Sequence, residues 1–268
     1  MHTSLRVAGG IVTAILAGSI ALPAGAATPG GPGPVVLPGE CVSQAPVPIV
    51  AAAPVLGQWS LIVPVSKSGR SAGKDAAFYS PARADAPYLT QSTEGSLSFY
   101  APSVGATTPG SPHPRTELER LHTFGMAAGD WNTMTATVAV TQVPSDTHKI
   151  IIGQLHYNVD RPFVTLRYDN GTVNVIADRG ASCTLLTGVA LGQRFSYQIT
   201  QRGYYLLFAA STTVGRRTVR RAVITGLPDA MRGTTGRFSA GDYQQDVQIA
   251  GSAGRVTFYG LQTEGGGS

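Results

Sequence analysis

The residues best suited to chemistry lie in three short stretches that are far apart in the chain. Gln154 and His156 follow a run of three isoleucines, and the two-residue period of a strand places both on one face. Arg115 and Glu117 have the same spacing, so the glutamate can orient the guanidinium toward a carboxylate. Tyr243 lies in a third strand-like stretch. Together these side chains supply a cation, a neutral donor, a base and an acid.

That set of groups fits β-elimination from a uronic acid polymer. Removal of the C5 proton of a uronate places further negative charge on its carboxylate, and Arg115 and Gln154 would stabilise that charge as it develops. His156 is suited to remove the proton near neutral pH, and Tyr243 to protonate the departing O4. Alternatively, a tyrosine that loses its proton beside an arginine and a histidine can serve as both base and acid. Each stretch alone has a commoner explanation, namely a strand entering solvent, a surface ion pair or a half-buried tyrosine.

The stretch around Tyr243 adds further candidates by strand alternation. Ser239, Gly241 and Gln245 share the predicted face of Tyr243. Because glycine has no side chain, we expect Gly241 to leave space beside the phenol where a ligand can approach. His113 is expected to be a loop or surface residue, and Trp131 to lie in the core.

The candidate residues belong to a series of short alternating segments separated by turns. Residues 131–143 show the pattern most clearly, with apolar side chains on one face and threonines on the other. Residues 169–171 and 201–203 are typical of hairpin turns. No long segment has the 3.6-residue period of a helix. The pattern predicts an all-β fold, either a sandwich or a jelly roll.

The ends of the 268-residue chain differ in composition from the rest. Residues 1–27 combine one early arginine, an apolar run of small residues and an alanine-rich end, which predicts a signal peptide and a secreted, extracellular protein. Residues 28–55 are rich in proline, glycine and alanine and are expected to form a flexible lead-in. The jelly-roll domain is expected over residues 56–263, followed by a loose tail at 264–268.

Charge and cysteine content narrow the range of partners. The chain has 20 basic and 15 acidic residues, and removal of Arg6 with the signal peptide leaves a net charge of 19 − 15 = +4. This excess is too small for a nucleic-acid-binding protein and suits an acidic polysaccharide. Two cysteines, Cys41 and Cys183, predict a disulfide in an oxidising compartment and are too few for a metal cluster. We expect a monomer with no cofactor, no metal and no membrane contact.

Residues 59–259 resemble polysaccharide lyase family 7, the jelly-roll alginate lyases. The resemblance implies a β-jelly roll sandwich of two antiparallel sheets with a concave substrate cleft. Residues 59–64 are similar to the family's first strand, and residues 99–117 to its next block, which ends in Arg-Thr-Glu-Leu. Residues 154–156 match its Gln-x-His motif, and residues 239–245 match its Lys-Ala-Gly-x-Tyr-x-Gln motif except at the lysine.

The resemblance implies a role for each matched position. Arg115 and Gln154 would neutralise the substrate carboxylate, and His156 and Tyr243 would act as base and acid. Glu117 would orient Arg115, and Gln245 would line the cleft.

The sequence departs from the family pattern at several site positions. Glu119 stands where the family usually has arginine, and Arg120 follows one residue later. Ser239 replaces a lysine, and Arg237 replaces an aromatic residue, so that Arg237 could supply the missing cation. Leu155 replaces the isoleucine or valine associated with uronate preference.

These departures leave three alternatives to an endolytic alginate lyase. Glucuronan lyases share the fold and the mechanism. A non-catalytic carbohydrate-binding jelly roll would need the groove but not the base. A glycoside hydrolase would need two carboxylates in the cleft, and only Glu117 and Glu119 are candidates.

Overall fold

The computed structural model describes residues 54–70, 73–158, 161–177, 182–214 and 217–267. Within these ranges the chain forms strands and two short 3₁₀ helices, Leu56–Gln58 and Asp229–Met231, and no α-helix. The strands are β1 Trp59–Ser66, β2 Ala76–Tyr79, β3 Leu89–Gln91, β4 Leu97–Pro102, β5 Thr116–Arg120, β6 Phe124–Gly125, β7 Trp131–Gln142, β8 Lys149–Tyr157, β9 Arg161–Asp169, β10 Thr172–Ala177, β11 Ser182–Leu186, β12 Phe195–Arg202, β13 Tyr205–Val214, β14 Arg217–Gly226, β15 Thr235–Gln244 and β16 Ala253–Gly266.

The strands form two antiparallel sheets. The first, here called the site sheet, has the order β11-β10-β9-β8-β15-β5-β1-β2, with β6 paired to β15 beside this path. The second, here called the back sheet, has the order β14-β13-β12-β7-β16-β4-β3. Some neighbouring strands are distant in sequence, as in the pairing of β15 with β8 and β5. The predicted jelly-roll sandwich is confirmed.

A single large apolar cluster joins the facing sides of the two sheets. In β7 the predicted alternation holds, since Met134, Ala136 and Val138 are buried in this cluster. Ile150 and Leu118 enter the same cluster from the site sheet. Burial of side chains of this size stabilises a fold by about 1.5–3 kcal/mol each. The opposite side of each sheet is therefore left for polar residues, and on the site sheet that side carries the candidate chemistry.

The strand β8 departs from simple alternation at a point that decides which side chains reach the site. Ile152 belongs to the core cluster, and a Cβ atom added to Gly153 would lie 2.9 Å from the hydroxyl of the buried Tyr197. Tyr197 donates a hydrogen bond of 2.9 Å to the carbonyl oxygen of Ile152. Two consecutive positions thus face the core, because the register with β9 shifts between Ile151 and Gly153. After this shift Gln154 and His156 are turned to the side away from the core, while Leu155 between them faces the core.

Both predicted hairpins are present, whereas two other expectations are wrong. Residues 169–171 connect β9 to β10. The strands β12 and β13, which flank the second turn, also pair as predicted. However, β16 continues to Gly266 and pairs with β7 there, so residues 264–266 are not part of a loose tail. Trp131 is 42% exposed and does not lie in the core.

Several predictions concern residues that lie outside the described ranges. These are the signal peptide at 1–27, almost all of the lead-in at 28–55, and Cys41. Cys183 is buried in β11. The Cys41–Cys183 disulfide, export and the monomeric state stay predictions. Among the described residues, no helix has the length and apolar character needed to cross a membrane.

Candidate active site

Three neighbouring strands in the middle of the site sheet bring most of the predicted site residues together. In the register of β15 with β8, Arg237 lies opposite His156, and Ser239 lies opposite Gln154. In the register of β15 with β5, Ser239 also lies opposite Glu119. Directly opposed residues share a face of a sheet. We call this patch, together with Arg115, Glu117 and Tyr243, the site face.

The site face is recessed, because its polar side chains are buried although they point away from the core. Gln154, Glu117 and Ser239 have no exposed surface, and His156 is only 5% exposed. Burial of so many polar groups is unfavourable unless hydrogen bonds or ligands satisfy them. The arrangement therefore has the character of a binding-site floor.

Glu117 is the centre of a buried polar cluster. Its Oε2 atom accepts a hydrogen bond of 3.0 Å from Arg115 Nη1, and its Oε1 atom accepts one from Gln154 Nε2. The carboxylate thus fixes both groups that are predicted to bind a substrate carboxylate, as the sequence spacing of Arg115 and Glu117 indicated. An amide nitrogen has two hydrogens, so Gln154 retains one for a ligand. Gln154 Oε1 and Arg115 Nε have no hydrogen-bond partner in the described part of the chain.

His156 is held as a neutral imidazole. Burial is the main cause that lowers its pKa to about 3, and the positive charges of Arg237 and Arg115 contribute to the same shift. Neither ring nitrogen has a hydrogen-bond partner among the described residues. A neutral, unpartnered imidazole can accept a proton. A carboxylate bound between the two arginines would offset their charges and raise the affinity of His156 for that proton.

Tyr243 reaches the site face next to Arg115. The guanidinium carbon of Arg115 lies 3.6 Å from the centre of the Tyr243 ring, a cation–π contact. The register of β15 with β8 shifts between Ala240 and Tyr243, so that Tyr243 lies opposite Ile151. This bulge aims the phenol toward the buried cluster of Arg115 and Glu117.

Sequence reasoning missed two residues that contact this tyrosine. Ser111 Oγ lies 2.8 Å from the Tyr243 hydroxyl, and the His113 ring packs edge-to-face on Tyr243 with 6.0 Å between the ring centres. His113 lies in a loop, as expected, but its contact with Tyr243 was not predicted. Both residues lie in the loop just before Arg115. This proximity in sequence was the one indication that they could reach the site. Their contact with Tyr243 spans more than 100 residues of sequence and depends on the fold.

The residue before Tyr243 faces the opposite way. Asp242 is fully buried between the sheets, and its Oδ2 atom accepts a hydrogen bond of 3.1 Å from the backbone nitrogen of Ala101 in β4. Burial raises the pKa of Asp242 well above its ordinary value, and the Ala101 amide and Arg255 offset this only in part. The core thus holds a carboxyl group that favours its neutral form directly behind the acid candidate.

The proposed role of Gly241 is wrong. A Cβ atom at this position would lie 2.5 Å from the carbonyl oxygen of Thr116 and 2.8 Å from the Cα atom of Glu117. Gly241 therefore permits the close approach of β15 and β5 and does not open space for a ligand. Gln245 lies just after β15, where its amide nitrogen donates to the carbonyl oxygens of Tyr243 and Gln244. This amide is held by the backbone beside the acid candidate.

The structure shows where the side chains of Arg120 and Arg237 lie, the two arginines that could replace the cations of the family pattern. Arg120 does not turn toward the site, since it donates to Gln58 and stacks on Trp59. Arg237 lies on the site face, and its Nη1 atom forms an ion pair of 3.2 Å with Glu119. Arg237 is therefore placed to supply a cation beside His156. Leu155 is fully buried in the core, so its side chain does not face a ligand on the site face.

Taken together, the jelly-roll sandwich and a buried carboxylate-binding cluster beside a neutral histidine define the class of polysaccharide lyases. Comparison with family models agrees, because residues 55–265 match the model described as Alginate lyase. The chain therefore belongs to the alginate lyase family. No curated protein matches the sequence.

Several solved structures of similar fold are alginate lyases. An alginate lyase from Pseudomonas aeruginosa is 28% identical with a TM-score of 0.65, over 79% of this chain and 99% of that one. The alginate lyase from Klebsiella pneumoniae is 22% identical with a TM-score of 0.66, over 80% of this chain and 97% of that one. A substrate complex of the family 7 alginate lyase A1-II′ is 23% identical with a TM-score of 0.63, over 80% and 94% of the two chains.

Proposed function

We propose that the chain is a secreted alginate lyase that cleaves its polymer endolytically by β-elimination. The observation that carries this proposal is a set of buried polar atoms on one face that lack partners in the described part of the chain: Arg115 Nε, Gln154 Oε1, Ser239 Oγ and both ring nitrogens of His156. Buried polar atoms of this kind mark a site whose partners arrive with the ligand. A uronate, with a carboxylate and several hydroxyls, supplies both acceptors and donors.

In the proposed reaction the substrate carboxylate binds to Arg115 and to the remaining amide hydrogen of Gln154. Glu117 holds both groups in place before substrate arrives. Such fixed donors stabilise the charge that develops on the carboxylate without reorganisation during the reaction. The role of the ion pair between Arg237 and Glu119 is to keep a second cation beside the base.

The bond changes balance without an external reactant. His156 takes the proton from C5, the C5–H electrons form the C4–C5 double bond, and the C4–O4 bond breaks. Tyr243 gives its proton to O4, which becomes a hydroxyl of the departing chain. His156 then releases a proton and Tyr243 regains one, so that the next turnover can begin.

Endolytic action is supported by the position of the site in the sheet. β8, β15 and β5 lie in the middle of the eight-strand order of the site sheet, with strands on either side. A polymer can therefore extend beyond the site in both directions.

The relative captured with the substrate named GGMG carries one histidine and one tyrosine replacement, which agrees with roles for such residues in that enzyme.

Glucuronan is the second candidate substrate, because Leu155 faces the core and so does not select the uronate by contact. A glycoside hydrolase is disfavoured, since Glu117 and Glu119 are both engaged in ion pairs with arginine. The test is incubation of the purified protein with alginate and glucuronan, followed by product-size analysis. Rapid appearance of unsaturated oligosaccharides of several lengths from alginate supports the proposal. Tight binding without cleavage would instead identify a carbohydrate-binding protein.

A further inference from the structure

Ser111 contacts the acid candidate directly and has no role in the reaction described so far. It lies in the loop between β4 and β5 and is 6% exposed. Its Oγ atom is 2.8 Å from the hydroxyl of Tyr243, within the usual range for O–H···O hydrogen bonds.

The surroundings of Ser111 give its hydroxyl two alternative acceptors. The backbone N–H of His113 donates to Ser111 Oγ at 3.2 Å, and the carbonyl oxygen of His113 can accept from it, also at 3.2 Å. A serine hydroxyl has one hydrogen and two acceptor lone pairs. Its hydrogen can therefore point either to His113 O or to the oxygen of Tyr243, and rotation about one bond exchanges the two.

These two orientations match the two protonation states of Tyr243 in the proposed reaction. While Tyr243 is a phenol, it donates to Ser111 Oγ, and Ser111 donates to His113 O. After Tyr243 has given its proton to O4, the Ser111 hydrogen turns to the phenolate oxygen. A hydrogen bond to a charged oxygen is shorter and roughly twice as strong as one between neutral groups.

We propose that Ser111 is a positioning residue that orients the Tyr243 hydroxyl and stabilises its phenolate in each turnover. The proposal rests on the proposed lyase function. No bond in Ser111 is made or broken, and the proton that Tyr243 loses to O4 is restored after the product leaves. The contribution of Ser111 is therefore greatest where negative charge is present on the phenol, which is in the transition state and in the intermediate before reprotonation.

The test compares Ser111→Ala with Ser111→Thr, which keeps the hydroxyl. Ser196→Ala is a matched control, because Ser196 is also a buried serine with one hydroxyl partner, Thr137, at 2.9 Å on the back sheet. For Ser111→Ala we expect kcat on the cleaved polymer to fall about tenfold and KM to stay within about twofold. The alkaline limb of the plot of kcat against pH should move up by about one pH unit. The reason is that Ser111→Ala removes a hydrogen bond that stabilises the charged phenolate, which raises the pH at which the phenol loses its proton. Ser111→Thr and Ser196→Ala should stay close to wild type.

A second measurement needs no substrate. Ultraviolet difference titration of the protein with and without Tyr243→Phe isolates the phenolate absorbance of residue 243, and Ser111→Ala should shift its midpoint upward by the same amount as the alkaline limb. An unchanged limb and midpoint would overturn the proposal, as would a loss of kcat with an unchanged midpoint, which would mean a structural role only. If Ser111→Ala does not fold, Ser111→Cys provides the same comparison with a weaker donor. A wild-type protein without activity on any polyuronate refutes the lyase function separately, while the titration still decides the role of Ser111.

Discussion

The solvent sides of the two sheets treat their polar residues in opposite ways. On the back sheet, hydroxyl and amide groups are paired with one another across strands. The pairs are Thr133 with Thr200 at 3.0 Å, Thr137 with Ser196 at 2.9 Å, and Gln198 with Thr135 at 3.2 Å. On the site sheet, atoms of Arg115, Gln154, His156 and Ser239 are buried without such partners in the described ranges.

The difference shows which face has been shaped by stability and which by ligand binding. A buried polar group without a hydrogen bond costs about 1–3 kcal/mol. The back sheet avoids this cost by cross-strand pairing, which is the ordinary way to stabilise an antiparallel sheet. The site face retains the cost at several neighbouring atoms, and this is tolerable where a substrate completes the hydrogen bonds. Paired substitutions, one on each face, test this interpretation.

The largest expected effect is on activity. His156→Ala and Tyr243→Phe should each lower kcat on alginate by about 10²–10⁴-fold, because each removes a proton-transfer group. Thr200→Ala, on the back sheet, should leave kcat within about twofold of wild type. The rate of formation of unsaturated product measures all three, and circular dichroism confirms that each variant is folded. A fully active Tyr243→Phe protein would remove Tyr243 from the mechanism.

The next effect is on stability and concerns the centre of the site face. Glu117→Gln keeps the shape of the side chain but leaves Arg115 without its counter-charge, and Arg115 is only 8% exposed. Breaking a buried ion pair from one side costs about 3–5 kcal/mol. Thr137→Val, which breaks a neutral pair on the back sheet, should cost about 1 kcal/mol. Urea unfolding at neutral pH gives both values, and equal losses would contradict the distinction between the faces.

The sequence predicts the strands of this protein better than it predicts the side to which some of them turn. Alternation in β7 and the two hairpin turns follow from local chemistry, and so does the all-β fold class. The structure places most of the predicted site residues together on three neighbouring strands. In β8 strict alternation would put Ile150, Ile152 and Gln154 on one face. The structure separates them, because the bulge at Ile152 and Gly153 shifts the alternation by one position. The contact of Tyr197 that accompanies this bulge comes from the other sheet.

Contacts between distant segments account for the remaining errors. Gly241 is required by the approach of β5, and Ser111 meets Tyr243 only after β15 has paired between β8 and β5. The direction of Arg120 depends on its hydrogen bond to Gln58 and its contact with the Trp59 ring, and neither is visible in the pattern of one strand. These features depend on register and on the bulges, which are set by tertiary packing and not by the pattern of one strand.

The buried histidine should make the site face a source of acid sensitivity. The pKa of His156 is about 3 in the folded protein, compared with 6.5 for a free histidine. Between these values the unfolded chain binds a proton that the folded chain does not, so stability falls as the pH falls through this range. His156→Gln removes that proton, and its free energy of unfolding should decline by about 2 kcal/mol less than that of wild type over two pH units below 6.5. Urea unfolding at a series of pH values measures the slopes, and parallel slopes would show that His156 is not held neutral.

The smallest expected effect concerns Asp242, which lies on the core side of β15, the strand that also carries Tyr243. The pKa of Asp242 is raised by burial, so the folded protein holds a proton that the unfolded chain releases above pH 3.8, and stability falls as the pH rises. Asp242→Asn keeps an acceptor for the Ala101 amide without a titrating group. We expect this variant to be more stable than wild type at neutral pH and the gain to vanish toward pH 3.8 in urea unfolding.

Asp246 provides the matched control for Asp242, because its pKa is shifted in the other direction. Burial alone would raise the pKa of Asp246, but hydrogen bonds from Ser252, Thr147 and the Asp146 amide outweigh burial and lower it. Its charge therefore stabilises the fold above pH 3.8, and this contribution is lost as the pH falls further. Asp246→Asn should destabilise the protein at neutral pH, whereas Asp242→Asn should stabilise it, with Tyr243 still active. If both variants lose stability at neutral pH, Asp242 is charged in the folded protein and the core behind Tyr243 is more polar than its packing indicates.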